Sequence, residues 1–118
     1  MNSFTIGMAA EADAPALLKM IRELAEFERL AREVEINADL LRAALFGERP
    51  VATALLGRVG DAVAGYAIYY RTFSTFVGRP GVFLEDIYVR PEFRRGGLGR
   101  ALLEAVAKNC VEQGGGRL

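Results

Sequence analysis

A segment rich in arginine and glycine, residues 90–100, is the part of this 118-residue chain best suited to bind a charged ligand. It reads RPEFRRGGLGR, and an apolar helical pattern follows directly through Leu102 and Val106. The N-terminus of a helix carries N–H donors without acceptors and a partial positive charge, so it attracts anions. Glycines let backbone N–H groups converge, and arginines add charge. The segment indicates a phosphate-binding loop, and the alternative is an ordinary strand-to-helix turn with solvated arginines.

Two adjacent carboxylates, Glu85 and Asp86, lie in the most strand-like apolar segment, Val82–Val89. Strict alternation would place one carboxylate on each face of a sheet, so at least one should approach the interior. A buried carboxylate without a partner is costly unless it borders a cavity or a bulge redirects it. The pair is therefore either a proton acceptor in catalysis or a structural feature in which one carboxylate is solvated and the other pairs with an arginine such as Arg71.

Two other phosphate motifs fit the loop less well. A P-loop requires Lys and then Ser or Thr after its last glycine, but Arg100 and Ala101 follow Gly99. A dinucleotide fingerprint requires a third glycine where Leu102 stands, and an acidic residue about 20 positions further on. The spacing that does fit is Arg-x-x-Gly-x-Gly over residues 94–99, between a strand and a helix.

This pattern resembles the acetyl-CoA-binding motif of the GNAT superfamily of N-acetyltransferases. The segments LLKMIRELAEFE (17–28), GYAIYY (65–70) and FLEDIYVRPEFRRGGLG (83–99) are similar to its spermidine/spermine (diamine) and thialysine acetyltransferase branch. The resemblance implies a GNAT-like acyl-CoA N-acyltransferase fold with acetyl-CoA as co-substrate and no metal. It further implies direct acetyl transfer to a primary amine of a small molecule, a polyamine or a lysine-like amine, by a homodimer.

The resemblance also assigns roles to residues of this chain. Glu85 would draw the proton from the amine, and Asp86 would contribute less. Glu28 and Glu33 correspond to positions that help to bind the cationic acceptor, although pairing with arginines four residues away would explain them equally well as a solvated helix face. The residues assigned to the cofactor are Ile87, Tyr88 and Val89, through their backbone, and Arg94, Arg95, Gly96, Gly97, Leu98, Gly99 and Arg100.

Four aromatic residues admit two interpretations. Tyr69, Tyr70, Phe73 and Phe76 could form the wall of an acceptor channel, with cation–π contacts to an amine. Such a set is more often part of a core or of a dimer surface. Cys110, on the apolar side of the last predicted helix, is expected to fill the core and not to act as a nucleophile.

The elements that must position these groups follow from residue patterns. Strands are predicted over 3–8, 51–59, 62–71 and 82–89, a loop over 72–81, and helices over 13–30, over 37–47 and from 97 to the glycines at 114–116. Arg117 and Leu118 would begin another strand, so the fold is expected to be truncated at the start of the fifth strand, before the family's usual proton donor. The 118-residue chain alone is therefore expected to have poor activity, even if the full protein is an enzyme. The order β-α-α-β-β-β-α-β predicts an α/β (α+β) mixed sheet with helices on its faces, in a single domain over 1–118.

The composition narrows the classes of function. Fifteen Lys and Arg balance fifteen Asp and Glu, and there is no histidine, which argues against a nucleic-acid partner and against Ser-His or Cys-His chemistry. The sequence shows neither a signal-peptide pattern nor an apolar run of about 20 residues, so we expect a cytoplasmic protein without a membrane partner. The alternatives to a small-molecule acetyltransferase are a non-catalytic acyl-CoA-binding or regulatory module and a protein or peptide N-acetyltransferase.

Overall fold

The computed structural model describes residues 3–112, which form an antiparallel sheet covered by helices on both faces. The strands follow the order β1-β2-β3-β4 across the sheet. Their bounds are β1 Thr5–Met8, β2 Thr53–Val59, β3 Ala62–Ser74 and β4 Arg79–Val89, and the α-helices are α1 Ala14–Phe27, α2 Ala38–Phe46 and α3 Leu98–Glu112. Short 3-10 turns occupy Glu11–Asp13, Ala31–Glu33 and Pro91–Phe93.

The predicted α/β architecture with helices on both sheet faces is confirmed, and the strand pairs within residues 3–112 are all antiparallel. A parallel pair, which the prediction of a mixed sheet requires, would need a strand after α3. The predicted helix stop at 114–116 and the predicted strand start at 117–118 lie outside the described residues. No helix within residues 3–112 is long and apolar enough to span a membrane.

Two separate cores lie on the two faces of the sheet. On one face, α1 and α2 pack Leu17, Met20 and Leu41 against side chains of the central strands, including the fully buried Tyr66. On the other face, α3 presents Leu98, Leu102, Val106 and Cys110 at four-residue spacing, and all four are buried. The predicted apolar stripe of this helix is thus confirmed, and Cys110 fills the core.

Helix α1 ends three residues earlier than predicted, at Phe27. Arg29 adopts a left-handed conformation with φ of 60°, the Arg29 N–H donates to the carbonyl of Glu26, and the Leu30 N–H donates to the carbonyl of Ala25. This is the hydrogen-bond pattern of a Schellman stop, in which the left-handed residue is usually glycine. Because arginine occupies that position here, no residue type nearby indicated where the helix stops.

The predicted loop over 72–81 is wrong, because most of it extends the β3–β4 hairpin. Thr72 pairs with Gly81 and Ser74 pairs with Arg79, which leaves the reversal to residues 75–78. Gly78 supplies the positive φ of 74° that the turn needs. Threonine and phenylalanine favour strands, and this preference prevailed over the turn-forming residues nearby.

Candidate active site

A β-bulge in β4 places Glu85 and Asp86 on the same face of the sheet. Ile68 of β3 pairs with Asp86, whereas the next residue, Tyr69, pairs with Leu84, so Glu85 is the extra residue. Leu84 and Ile87, which flank the carboxylates, both pack towards the α3 core. Glu85 and Asp86 instead line a cavity on the α1–α2 side. Strict alternation therefore does not hold here, and of the possibilities that the sequence left open, both the cavity and the redirecting bulge occur.

The two carboxylates border a pair of adjoining cavities, here called the acidic cavity. The larger part has a volume of about 350 Å³ and includes Glu33, Glu35, Glu85 and Asp86 in its wall. The smaller part, of about 140 Å³, is lined by Glu28 and shares Glu33 and Asp86 with the larger part. Apolar side chains complete the walls of both parts: Ile21, Leu24, Ala25, Leu30, Val34, Ile36, Leu41, Ala44, Leu45, Ala52 and Ile68. The arrangement suits a ligand with several positive charges joined by apolar segments.

The structure thus brings Glu28 and Glu33 to the same site as Asp86. The alternative, in which Glu28 pairs with Arg32 and Arg29 pairs with Glu33, does not occur within residues 3–112. The reason is that α1 ends at Phe27, so these residues do not share one helix face. Sequence reasoning missed Glu35 as a wall residue, and its position in an acidic stretch was the only signal.

Asp86 and Glu85 differ in how firmly they are held. The hydroxyl of Tyr66 donates a hydrogen bond to Oδ2 of Asp86 at 3.0 Å, and Asp86 is partly buried. Glu85 is exposed at the bulge. Neither carboxylate forms an ion pair with Arg71 in the described part of the chain, because Arg71 lies beyond the bulge, opposite Val82. The structural pairing considered for Arg71 is therefore absent.

A second polar network ties α1 to the end of β4. Both carboxylate oxygens of Glu23 accept hydrogen bonds from Arg90, at 3.1 and 3.0 Å, and the Tyr88 hydroxyl donates to Oε1 of Glu23 at 3.0 Å. Partial burial acts to raise the pKa of Glu23, but these hydrogen bonds outweigh burial and hold the pKa below its ordinary value. The hydrogen bond with Glu23 raises the pKa of Arg90. The network fixes the end of β4, which leads into residues 94–100.

The arginine–glycine loop, residues 94–100, surrounds an open cavity of about 360 Å³. Gly97 has a φ of 87°, and a Cβ added there would meet no atom within 4 Å. The backbone conformation thus favours glycine at this position, and the space in front of this backbone is open. A Cβ at Gly99 would meet only an ordinary contact at 3.6 Å. The loop delivers the N-terminus of α3, with its unpaired N–H groups, to an open concave surface, which is what an anionic group requires.

The three arginines assigned to the cofactor have different surroundings. Arg94 donates through Nε to the carbonyl of Val89 at 2.8 Å, and its guanidinium lies 5.1 Å from the ring centroid of Phe27 and 5.8 Å from that of Tyr88. Arg100 pairs with Glu104 along α3, and both side chains are largely exposed. Arg95 is exposed and has a φ of 70°.

The structure limits which atoms of Leu98 and of the end of β4 could contact a cofactor. The Leu98 side chain is buried in the α3 core, so only its N–H can face the loop cavity. The N–H of Arg90 donates to the carbonyl of Ala64 in β3. Because successive residues of a strand point their backbone groups to opposite sides, Ile87 and Val89 turn theirs away from β3, and Tyr88 turns its N–H towards β3.

The four aromatic residues do not line the acidic cavity. Tyr69 is buried in the α3 core, where its hydroxyl accepts a hydrogen bond from Nδ2 of Asn109 at 2.7 Å. Tyr70, Phe73 and Phe76 are exposed on the β3–β4 hairpin. Phe73 and Phe76 instead border a separate cavity of about 510 Å³ on the hairpin, so the four residues do not form one channel with the carboxylates. Among residues 3–112, no group of His, Cys, Asp and Glu side chains has the arrangement of a metal site.

Comparison with known proteins identifies the family. Residues 16–118 match the model of the Acetyltransferase (GNAT) family. The chain belongs to the GNAT acetyltransferase family. It is 40% identical to thialysine N-epsilon-acetyltransferase of Sus scrofa over 122 aligned residues, which cover 97% of this chain and 71% of that protein. It is also 33% identical to a spermidine/spermine N(1)-acetyltransferase-like protein of Homo sapiens over 94% of this chain and 17% of that protein.

Solved structures agree on the fold. An aminoglycoside acetyltransferase from an uncultured soil metagenomic sample superposes with a TM-score of 0.80 at 18% identity, over 97% of this chain and 74% of its own. Integron cassette protein HFX_CASS3, from the mobile metagenome of Cole Harbour Salt Marsh, gives 0.81 at 28% identity, over 96% and 74%. These structures confirm the predicted GNAT fold. The family model and the curated relatives confirm the thialysine and spermidine branch and an N-acetyltransferase activity on an amine of a small substrate.

Proposed function

We propose that this protein transfers the acetyl group of acetyl-CoA to a primary amine of a small molecule that carries at least one further positive charge, a polyamine or a lysine-like amine. The observation that carries the proposal is the bulge, which turns Glu85 towards the acidic cavity that Asp86, Glu28, Glu33 and Glu35 also line. The relatives that support it are named for thialysine, spermidine/spermine and L-ornithine, which are small molecules with more than one amino group.

The first chemical requirement is removal of a proton from the amine. An alkylammonium group has a pKa near ~10 and is not nucleophilic while it is protonated. Glu85, exposed on the bulge, draws that proton, directly or through water. Asp86, held by Tyr66, contributes less to the proton transfer and attracts the ammonium group. Glu28, Glu33 and Glu35 surround the remaining positive charge.

The second requirement is a site for the donor. Acetyl-CoA supplies an activated acetyl thioester and an anionic pyrophosphate. The arginine–glycine loop fits the pyrophosphate, because the backbone around Gly97 faces open space and arginines flank it. Leu98 and Gly99 offer N–H groups of the first turn of α3, and Arg94 and Arg95 offer charge. The outward-facing N–H groups of Ile87 and Val89 are positioned to hold the thioester arm and to polarise its carbonyl.

Direct transfer is favoured over an acetylated enzyme. Cys110 is the chain's single cysteine and is buried in the α3 core, on the face of the sheet opposite to the acidic cavity. Neither a serine nor a lysine lines that cavity among the described residues. The amine nitrogen would therefore attack the thioester carbonyl itself, forming the C–N bond as the C–S bond breaks.

The test is a direct assay of product formation. The protein is incubated with acetyl-CoA and, separately, with thialysine, L-ornithine, spermidine, a simple monoamine and a lysine-containing peptide, and acetylated products are measured by mass spectrometry. We expect the three multiply charged small amines to be acetylated with a higher kcat/KM than the monoamine and the peptide. Preference for the peptide would contradict the proposal and favour a protein acetyltransferase. Binding of acetyl-CoA without any product would favour a non-catalytic acyl-CoA-binding module.

Three further parts of the proposal concern the whole protein. Residues 1–118 would form one N-acetyltransferase domain, the protein would be a homodimer, and it would act in the cytoplasm. Light scattering of the purified protein measures its mass in solution and would contradict the dimer if only the monomer mass were found.

A further inference from the structure

A hydrogen bond between strands fixes one of the two candidate carboxylates. Tyr66 of β3 is fully buried, and its hydroxyl donates to Oδ2 of Asp86 at 3.0 Å. Tyr66 pairs directly with Tyr88, so Asp86 is its diagonal neighbour across the strand pair. Asp86 and Tyr88 lie two residues apart in regular register with β3, so Asp86 shares the face of Tyr66, and the bulge at Glu85 begins only beyond this pair.

The donor in this bond is permanent. Burial and the adjacent Asp86 carboxylate raise the pKa of Tyr66 far above its ordinary value. The hydroxyl therefore keeps its proton at every pH at which the protein is used. A phenol of this kind is a poor proton donor to a leaving thiolate, but it is a reliable hydrogen-bond donor to a carboxylate.

The hydrogen bond occupies one oxygen of Asp86 and leaves the other. Asp86 and Glu33 are the two carboxylates that line both parts of the acidic cavity. A carboxylate whose side chain is locked at Oδ2 can present Oδ1 to a cation in one orientation, without the rotamer freedom that an exposed side chain would lose on binding.

We infer that Tyr66 is a positioning residue for the amine: it holds Asp86 so that the free carboxylate oxygen orients the ammonium group beside Glu85. The inference rests on the proposed function and deepens it. Asp86 then binds the ammonium group in a fixed orientation, and the more mobile Glu85 beside it accepts the proton. Tyr66 itself touches neither substrate and acts through Asp86.

The competing explanation is that Asp86 merely satisfies a buried hydroxyl, as buried tyrosines generally require. The same strand offers a matched control. Tyr69 is also a buried tyrosine of β3 whose hydroxyl bonds to a single side chain, but it lies in the α3 core. Tyr66→Phe and Tyr69→Phe thus each remove one buried hydroxyl and its hydrogen bond, on opposite faces of the sheet.

The experiment compares steady-state kinetics of the full chain and both variants with L-ornithine, thialysine and spermidine. For Tyr66→Phe we expect the KM of the amine to rise roughly tenfold and kcat to fall, with the affinity for acetyl-CoA unchanged, because one hydrogen bond to a charged group is lost. Both variants should lower the melting temperature by a similar amount, since each loses one buried hydrogen bond, but Tyr69→Phe should leave the amine kinetics unchanged. In the Asp86→Asn variant, adding Tyr66→Phe should change the KM of the amine and kcat little further, because the two residues act as a unit.

Equal amine kinetics for the two tyrosine variants would overturn the inference. Acetylation of the amines by the wild-type protein would still support the proposed function in that case. A wild-type protein that neither binds nor acetylates any of the three amines would overturn both. If Tyr66→Phe does not fold, Asp86→Glu tests the same contact, because the longer side chain keeps the charge but moves the carboxylate away from the phenol. Full amine efficiency in Asp86→Glu would contradict a requirement for this geometry.

Discussion

The arginine–glycine loop and the acidic cavity, which we propose bind opposite charges, are built by different means. The loop is one contiguous stretch, and its binding surface consists largely of backbone N–H groups shaped by the positive φ of Gly97. The acidic cavity draws on α1, the segment before α2, α2 itself, and strands β3 and β4, and its wall residues lie up to 65 positions apart in the sequence, from Ile21 to Asp86. Its binding groups are side-chain carboxylates.

The difference determines how each region should respond to change. A backbone site is sensitive to conformation and tolerant of the side chains nearby, whereas a side-chain site depends on the chemical identity of each group. The two regions meet at β4, whose bulge carries Glu85 and Asp86 and whose end leads into the loop. Variants that affect one region without the other can therefore test whether the division holds.

The largest effect is expected at the bulge. Glu85→Gln should lower kcat by about 10²-fold, because the amine loses its proton acceptor, and should leave the affinity for acetyl-CoA unchanged. Asp86→Asn should lower kcat less and raise the KM of the amine more. Steady-state kinetics and calorimetric titration of acetyl-CoA measure these quantities. If Glu85→Gln weakened acetyl-CoA binding as strongly as it lowered kcat, the two regions would not be separable.

The next effect is expected at Gly97, and Gly60 provides a matched control. Both glycines have a positive φ, 87° and 60°, and a Cβ would meet no atom within 4 Å at either position. Alanine at each site should therefore destabilise the fold by a similar amount, about 1–2 kcal/mol. Only Gly97→Ala should also weaken acetyl-CoA binding, by roughly tenfold, because the loop backbone must shift. Unchanged affinity in Gly97→Ala would remove the loop from the cofactor site.

The same contrast explains how much of the molecule could be predicted from its sequence. The loop was predictable because its residues are adjacent and its glycine spacing is specific. The strands around the Gly60 turn and the stripe of α3 were predictable for the same reason, since hydrophobic period and turn residues are local properties. The exceptions within this class, the left-handed Arg29 and the extended hairpin, are places where the local signal was absent or contradictory.

The acidic cavity could be predicted only in part. Glu85, Asp86, Glu28 and Glu33 were selected through the family resemblance, but their meeting depends on pairing across strands and on the bulge. Nothing in the residue types of β4 indicates that Glu85 is the unpaired residue. Tyr66 was missed altogether, because a tyrosine in an apolar strand gives no sign of which carboxylate lies diagonally opposite.

A smaller effect is expected where α1 supports the end of β4. The pKa of Glu23 in the folded protein lies below its ordinary value of 4.5, so its ion pair with Arg90 stabilises the fold above about pH 4.5. That contribution is lost as the pH falls through the lower folded-state pKa. Glu23→Gln should reduce the free energy of unfolding by about 1 kcal/mol at neutral pH, with the difference from wild type shrinking in acid.

Urea unfolding at several pH values measures this dependence, and Glu104→Gln is the control. Glu104 pairs with Arg100 on the surface of α3, where both side chains are largely exposed, so its loss should change stability little. A Glu23→Gln variant whose deficit did not shrink in acid would contradict the assigned ionisation. A stability loss in Glu104→Gln equal to that in Glu23→Gln would contradict the distinction between the two ion pairs.

The smallest effects are expected from the outer carboxylates of the acidic cavity. Glu33 and Glu35 are exposed, so water and salt screen their attraction for an amine. Glu33→Gln and Glu35→Gln should each raise the KM of spermidine by about two- to fivefold at low ionic strength, with kcat unchanged, because they act on binding and not on proton transfer. Glu26→Gln removes an exposed acid of α1 that does not line the cavity and should have no effect.

Raising the salt concentration to about 0.5 M should remove most of the difference between the variants and wild type. A KM effect that persisted at high salt would instead mean that Glu33 or Glu35 makes a direct, desolvated contact with the amine, which would extend the fixed part of the site beyond Asp86.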